Sequence, residues 1–580
     1  MSEYQAPVAD ILFTLKAVAG LDDLSALPGY ADASAETVGA ILDAAGTLAR
    51  EVLGPLNTVG DRERLRFENG VVTTPKGFKE AYRQFAEGGW NAIAFDPEYG
   101  GQGMPWALTS ALQEMWNAAN MSFALCPLLT QGAIEALQLH GTAEQKSTYL
   151  PKMIVGTWAG TMNLTEPQAG SDLGAIRTSA TPAHDGTYRL KGQKIFITYG
   201  EHDWTENIVH FVLARLPDAP AGSKGISLFI VPKFLPKPDG TPGKRNDLRC
   251  VSLEHKLGIH ASPTCVMAYG DNEGATGFIV GEPHRGLEYM FTMMNNARLA
   301  VGIQGLAIAE RSYQHAVAYA RQRVQGGKNP IIAHPDVRRM LLTMRSLTQG
   351  MRCLALYAAG ALDRSKRHPD AAERAKQQAL TDLLIPIVKA WCTDRGVEVA
   401  SLGVQIHGGL GFIEETGAAQ YYRDARIAPI YEGTNGIQAM DLIGRKLLRD
   451  EGKAMLSLIA EMRASLGDIH AAARKRIEPG IATLERAVDS VLGAGKQDMT
   501  LALAVATPFL ALCGTQIAGW LLARAAAAAA QYQGDDPAFV QAKTATALFY
   551  AENILPEMEA DAALVTGGAA STLGFPVEAF

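Results

Sequence analysis

The sequence predicts an α+β fold: a helical first part, a β-rich middle and a helical remainder. Three observations carry this. Ala-rich amphipathic runs fill residues 1–157. Over residues 158–285 they give way to short segments rich in β-branched and aromatic residues, bounded by Gly, Pro, Asn and Asp. Long helical runs return from residue 286. With 580 residues, 47% of them hydrophobic and 19% charged, the chain can bury several cores.

In order along the chain, residues 1–157 carry helical runs at 34–53 and 132–138. Turns such as Leu27-Pro28-Gly29 and Tyr99-Gly100-Gly101 separate such runs. The clearest strands of the middle part are 188–198, 208–213, 226–231 and 265–269. No helical period lies between them, so a compact antiparallel β-domain is expected rather than a βαβ array. Residues 286–450 hold long helical runs at 298–323 and 371–402. Residues 451–580 form an Ala/Leu-rich helical extension, in which six alanines at 525–530 are strong helix formers. The stretch 499–523 has no charge and is long enough to span a bilayer. Thr500, Thr507, Pro508, Thr515 and Gln516 interrupt it, so a helix buried in protein is expected over one touching a membrane.

Composition excludes several classes. A net charge of -7 argues against nucleic-acid binding. The six cysteines, Cys126, Cys250, Cys265, Cys353, Cys392 and Cys513, form no C-x-x-C pair and no Cys/His cluster with zinc spacing. No metal site is expected, and the thiols read as reduced and buried. The first residues show neither a basic leader nor a long apolar run, which with the cysteines leads to an expected cytoplasmic location. A P-loop and a Rossmann G-x-G-x-x-G are absent from the sequence, so a dinucleotide site of that kind is not expected. Asn163-Leu164-Thr165 fits a glycosylation sequon and reads as accidental.

Four segments could carry chemistry, each with a plain structural reading beside it. Met162 to Asp172, with Leu164, Thr165, Gly170 and Ser171, mixes small residues and hydroxyls; it is a turn-rich loop or a cradle for a flat heterocycle or pyrophosphate. Lys194 to Thr198 is an ordinary strand, or one presenting Phe196 and Thr198 on one face. Gln405-Ile406-His407-Gly408-Gly409-Leu410-Gly411-Phe412 is a helix cap with a turn, or a close approach of backbone to ligand. Arg423-Asp424-Ala425-Arg426 followed by Ile430-Tyr431-Glu432-Gly433-Thr434-Asn435-Gly436 holds a carboxylate, Glu432, that is either a solvated surface group or a partly desolvated base.

Taken together and in order, these segments resemble the acyl-CoA dehydrogenase family over roughly residues 75–450. The elements are Pro97-Glu98-Tyr99-Gly100-Gly101-Gln102-Gly103, then Thr165-Glu166-Pro167-x-Ala169-Gly170-Ser171-Asp172. Gly192-Gln193-Lys194-x-x-Ile197-Thr198, the Gln405 segment and Tyr431-Glu432-Gly433-Thr434 follow. Tyr4-Gln5-Ala6-Pro7, Lys256-Leu257-Gly258-Ile259-His260 and the extension are similar to one bacterial branch, which includes 3-methylmercaptopropionyl-CoA dehydrogenases and broad-range relatives.

The resemblance implies a helical N-domain, a middle β-barrel-like domain, a four-helix C-domain and the helical extension. It implies FAD as cofactor. By match, Leu164, Thr165, Gly170, Ser171, Phe196 and Thr198 meet the flavin and its pyrophosphate. Arg323, Gln325, Gln405 and Gly409 reach the diphosphate from a neighbouring subunit, and Thr434 closes the site. Arg298 and Tyr431 fall on the substrate side, Arg298 near the CoA moiety. Two positions depart from the family: His334-Pro335 where many members have His-Gln, and Gly436 where a Gln is common.

The implied reaction is α,β-dehydrogenation of an acyl-CoA thioester. Glu432 matches the carboxylate that removes the α-proton, and the β-hydride passes to flavin N5. Some relatives carry the base immediately before the Arg matching Arg298, but that position is Ala297 here. A homodimer and an electron-transfer flavoprotein partner are implied, with no nucleic acid. The alternatives are an acyl-CoA oxidase using oxygen and a nucleic-acid-binding flavoprotein on the same fold. The acidic group Glu552, Glu557, Glu559 and Asp561 argues against the latter.

Overall fold

The structure is a computed structural model that describes residues 3–531 and 536–580. The chain folds into two compact units, each drawn from separated stretches of sequence. One comprises Met1–Gly46, Pro105–Ala118 and Arg298–Phe580, the other Thr47–Met104 and Ala119–Ala297.

The second unit is built around a sheet of eight strands: β1 (Trp158–Asn163), β2 (Ser179–Pro182), β3 (Tyr188–Thr198), β4 (Asn207–Arg215), β5 (Ile226–Pro232), β6 (Leu248–Leu253), β7 (Thr264–Tyr269) and β8 (Ala275–Val280). Their order is β6-β7-β3-β8-β5-β4-β1, and β2 pairs with both β3 and β4. The ring β2-β3-β8-β5-β4 therefore closes on itself, and β6 and β1 remain as the outer strands of the sheet. One buried hydrophobic cluster of this unit joins Leu190, Val212, Phe229, Val231, Cys265 and Met267.

The expectation of a wholly antiparallel domain needs one correction. β1 runs parallel to β4, and β2 meets β4 at a single parallel pair, Ser179 with Arg215. The burial patterns account for β1: all six of its residues are buried, and so are eight of the nine in β4. Parallel pairing suits strands covered on both faces.

The first unit is helical. Helix α1 (Trp106–His140) begins in it and breaks at Asn120, whose φ of -160° is non-helical. The Asn120 side chain accepts the Phe123 N–H at 3.1 Å and restarts the helix as an N-cap would. Helix α2 (Gly286–Gln322) contributes its portion from Arg298 onward. α3 (Pro335–Arg367) and α4 (Ala371–His407) lie side by side. α2 approaches α4 closely: a Cβ on Gly305 would sit 2.3 Å from the Cys392 carbonyl oxygen.

In the extension, α5 (Ala471–Gln497), α6 (Ala506–Ala530) and α7 (Pro537–Asn553) complete the unit, with α6 against α3 and α4 and α7 against α3. α6 is apolar and long enough to cross a membrane, yet 83% of its most apolar window is buried in protein. It is a core helix, with Gly514 seated on the Trp391 ring.

A buried charge cluster ties these helices together. The Arg352 guanidinium of α3 binds Glu114 at 2.5 Å, Glu310 at 2.7 Å and Asp10 at 2.5 Å. Lys543 of α7 pairs with the same Asp10. Removing one member would leave its partners charged, buried and short of a bond.

Candidate active site

The segment between helices Ala418–Ala425 and Asn435–Asp441 carries Glu432. It is held from α4. Lys389 Nζ donates to the Gly433 carbonyl and to Asn435 Oδ1, both at 2.8 Å. Asn435 Nδ2 donates back to Asp394 Oδ1 at 2.7 Å, Thr393 Oγ1 at 3.0 Å and the Ala390 carbonyl at 3.1 Å. Gln438 Nε2 donates to the Glu432 carbonyl at 3.3 Å. Tyr431 Oη donates to Gln304 Oε1, and Gln304 Nε2 donates in turn to Asn117 Oδ1 at 3.2 Å. Thr434 caps the following helix by accepting the Ile437 N–H at 3.3 Å.

This lattice holds two consecutive residues in the left-handed region, Glu432 at φ 58° and Gly433 at φ 86°. For glutamate that conformation costs on the order of 1–3 kcal/mol, and such strain gathers at functional sites. At φ 86° any side chain on Gly433 would be strained, and its Cβ would also lie 2.7 Å from Gln438 Nε2.

Glu432 is part-exposed, and among the described residues no hydrogen bond or ion pair reaches its carboxylate. Desolvation pushes its pKa up to about 6, against the opposing pull of Arg298 and Lys389. Lys389 is pushed down to about 7 by burial, which Glu432 and Asp394 offset in part. Arg298 is buried, with Nη1 donating to Asp441 Oδ2 at 3.2 Å. The arrangement is a carboxylate basic enough to accept a proton near neutral pH, on a loop fixed at several points.

The second unit carries the other group of sequence-predicted residues. Glu166 is buried and fully bonded: Lys194 Nζ at 2.8 Å, Thr178 Oγ1 at 2.6 Å, and the N–H groups of Arg177 and Thr178 at 2.7 and 3.0 Å. Burial alone would raise its pKa, but Lys194 and these donors hold it at about 2. Lys194 also donates to the Leu164 carbonyl at 3.0 Å, and the Ile195 N–H donates to the Thr165 carbonyl at 2.9 Å. The loop is thus pinned from beneath, leaving Leu164 and Thr165 half-buried and Gly170 and Ser171 exposed.

Phe196 sits on a bulge of β3. Ile195 and Phe196 together oppose a single residue of β7, and Phe196 adopts φ 60°. It is 58% exposed, an unusual state for a bulky aromatic in a left-handed conformation. Thr198 is half-buried, and its carbonyl accepts Thr161 Oγ1 at 2.7 Å.

The remaining residues lie in the first unit. Arg323 and Gln325 are exposed and share a 3.3 Å hydrogen bond. His334 Nε2 is 2.8 Å from the Gln325 carbonyl, and Pro335 opens α3. The Gln405 segment is the C-terminus of α4 followed by a 3₁₀ turn, Gly408–Phe412. Gln405 and Gly409 are exposed, with open space where a Cβ on Gly409 would lie. The structure brings Tyr431, Glu432, Thr434 and Arg298 together. Asn435, within the same motif segment, completes that site together with Lys389, Gln438, Gln304 and Asp441, and those four were not singled out from the sequence. Lys389 alone left a trace, as the one cation in the apolar run Ile385-Pro386-Ile387-Val388-Lys389-Ala390-Trp391.

Comparison with known proteins gives the class. Family models match consecutively along the chain: acyl-CoA dehydrogenase N-terminal domain at residues 37–157, middle domain at 161–272 and C-terminal domain at 284–448. An acetyl-CoA dehydrogenase C-terminal-like domain matches at 458–576. The chain belongs to the acyl-CoA dehydrogenase family, FAD-dependent oxidoreductases that act on acyl-CoA thioesters. It is 51% identical to the 3-methylmercaptopropionyl-CoA dehydrogenase of Ruegeria pomeroyi, across 97% of this chain and 98% of that one. It is 35% identical to the broad-specificity linear acyl-CoA dehydrogenase FadE5 of Mycobacterium tuberculosis, across 96% of each. In fold it is similar to the acyl-CoA dehydrogenase of Bacillus anthracis solved with FAD, with a TM-score of 0.74, 22% identity, and coverage of 93% of this chain and 90% of that one.

The residues present suit the cofactor. An aromatic face left exposed beside half-buried Leu164, Thr165 and Thr198 fits a flat heterocycle, and open space around Gly170 fits approach by a phosphate group.

Proposed function

We propose that Glu432 is the base of this dehydrogenase. In this reading the Glu432 carboxylate takes the α-proton of the acyl-CoA, and its own backbone N–H hydrogen-bonds the thioester carbonyl. The α C–H electron pair then forms the Cα=Cβ bond as the β-hydrogen leaves with two electrons. Bound FAD would supply the acceptor for that hydride. Leu164, Thr165, Gly170, Ser171, Phe196 and Thr198 hold the flavin end, and Arg323, Gln325, Gln405, Gly409 and Thr434 complete its enclosure. Arg298 and Tyr431 line the substrate side. The observation that carries the reading is the Glu432 carboxylate, unbonded among the described residues and with its pKa raised, on a strained backbone beside two cations.

The substrate proposed is 3-methylmercaptopropionyl-CoA or a linear acyl-CoA of similar size, on the strength of the full-length 51% relative. The electron acceptor proposed is an electron-transfer flavoprotein, and the assembly a homodimer in which the partner copy completes the cofactor site. A panel of acyl-CoAs with an artificial electron acceptor tests the substrate. The thioether substrate should rank first in kcat/KM, and equal rates across the panel would remove that assignment. Light scattering should give a dimer, and a fully active monomer would contradict it. Rapid reoxidation of reduced enzyme by oxygen, at the turnover rate, would point to an oxidase instead.

A further inference from the structure

Two cations stand beside Glu432, yet its carboxylate keeps a raised proton affinity. The explanation lies in what already occupies them. Lys389 spends its ammonium on the Gly433 carbonyl and Asn435 Oδ1, and Asp394 stands behind Asn435. Arg298 is committed to Asp441, a carboxylate buried to 5% exposure. Asp441 in turn uses its second oxygen, Oδ1, to accept from Arg445 Nε at 2.5 Å. Arg298 remains close to the base loop: its Nη2 is 3.8 Å from where a Cβ on Gly433 would be.

We propose that Asp441 is a positioning residue for the reaction: it fixes and neutralises Arg298, so that the Glu432 carboxylate retains the basicity needed to take the α-proton. This rests on the reading of Glu432 as base. The charged or titratable groups around that carboxylate are Arg298 on α2, Lys389 and Asp394 on α4, Tyr431 on the loop, and Asp441 and Arg445 beyond it. Counted together, the three cations Arg298, Lys389 and Arg445 face the two carboxylates Asp394 and Asp441, an excess of one that Glu432 itself offsets. Removing Asp441 leaves a buried guanidinium that still acts on the base electrostatically, now without that carboxylate to offset it. The base then ionises more readily and accepts protons less well.

The test follows flavin bleaching by limiting acyl-CoA across pH in the holoenzyme, since this second-order constant reports groups of the free enzyme. Asp441→Asn should move the acidic midpoint down by about one pH unit, a tenfold loss of proton affinity, and lower the plateau. Arg445→Gln removes a half-exposed cation from the same carboxylate, so it should fold normally and move the midpoint up. Arg298→Gln combined with Asp441→Asn removes both charges and should return the midpoint towards that of the unaltered enzyme. A purely structural Asp441 would lower the plateau in Asp441→Asn with the midpoint fixed. An unmoved midpoint in both Asp441→Asn and Arg445→Gln overturns the proposal. Glu432→Gln run alongside separates the two layers. Undiminished bleaching there removes the base and this proposal together. Abolished bleaching there, with midpoints that do not move in the other variants, removes Asp441 alone.

Discussion

Glu166 and Glu432 are carboxylates in different units of this chain, and their surroundings are opposite. Glu166 receives an ammonium, a hydroxyl and two backbone N–H groups, and it is held ionised with a pKa near 2. Glu432 receives nothing among the described residues, although Arg298 and Lys389 lie close, and its pKa rises to about 6. Both cations near Glu432 are bonded to other groups, while the cation near Glu166 bonds that carboxylate directly. A paired carboxylate builds structure and an unpaired one keeps chemistry available.

The largest contrast should appear on exchanging each glutamate for its amide. Glu432→Gln should lose on the order of 10²–10⁴ in turnover, the usual cost of a missing general base, while folding and binding flavin. Glu166→Gln should do the reverse. It strands Lys194, itself fully buried, and breaking a buried pair in this way costs about 3–5 kcal/mol. Urea denaturation should show that loss, and flavin should dissociate more readily because the Leu164–Ser171 loop is no longer pinned. A Glu166→Gln enzyme of ordinary stability would erase the distinction drawn between the two sites.

pH should separate the two in stability as well. Glu166 has its folded pKa depressed, so its contribution is present above the ordinary carboxylate value and is lost as pH falls towards about 2. Glu432 has its folded pKa raised to about 6, so folding favours its protonated form. Its contribution is greatest below the ordinary value near 4.5 and is lost as pH rises through 6. Glu432→Gln should therefore be more stable than the unaltered protein at pH 8, and the difference should vanish below about pH 4.5. Equal midpoints of unfolding at pH 8 would show that the raised proton affinity is absent from the free enzyme.

The smallest effect concerns the frame of the Glu432 loop. Thr434→Ala removes the cap from the helix Asn435–Asp441 and should cost about 1 kcal/mol, read as a shift in thermal unfolding. A change of that size with turnover nearly kept would mean that Lys389 and Asn435 suffice to hold the loop.

The strands that alternate or run continuously apolar, 188–198, 208–213, 226–231 and 265–269, were legible because their pattern is local. Closure of the sheet through β2 was not. It depends on pairing Ser179–Pro182 not only with the strand that follows it but also with Arg215 of β4, and that short segment has no pattern of its own. The bulge at Phe196 was hidden for a similar reason, because a bulge is a property of the pairing with β7. In the site, the glutamate and its glycine stood out as an ordered motif. Lys389, Gln304 and Asp441 did not, since each acts from 9 to 128 residues away through contacts made only on folding. The partnership of Glu166 with Lys194 was equally unreadable, although both residues lay within motif segments.

The role of Glu432 is tested most directly by the pH dependence of anaerobic flavin bleaching by acyl-CoA, compared between the unaltered enzyme and Glu432→Gln with flavin bound in both. The rate of the unaltered enzyme should rise with pH through a midpoint near 6, following ionisation of Glu432. The amide variant should be slower by on the order of 10²–10⁴ and should lose that limb. An acidic limb that survives unchanged in Glu432→Gln, or a bleaching rate near normal, would contradict the assignment of the base.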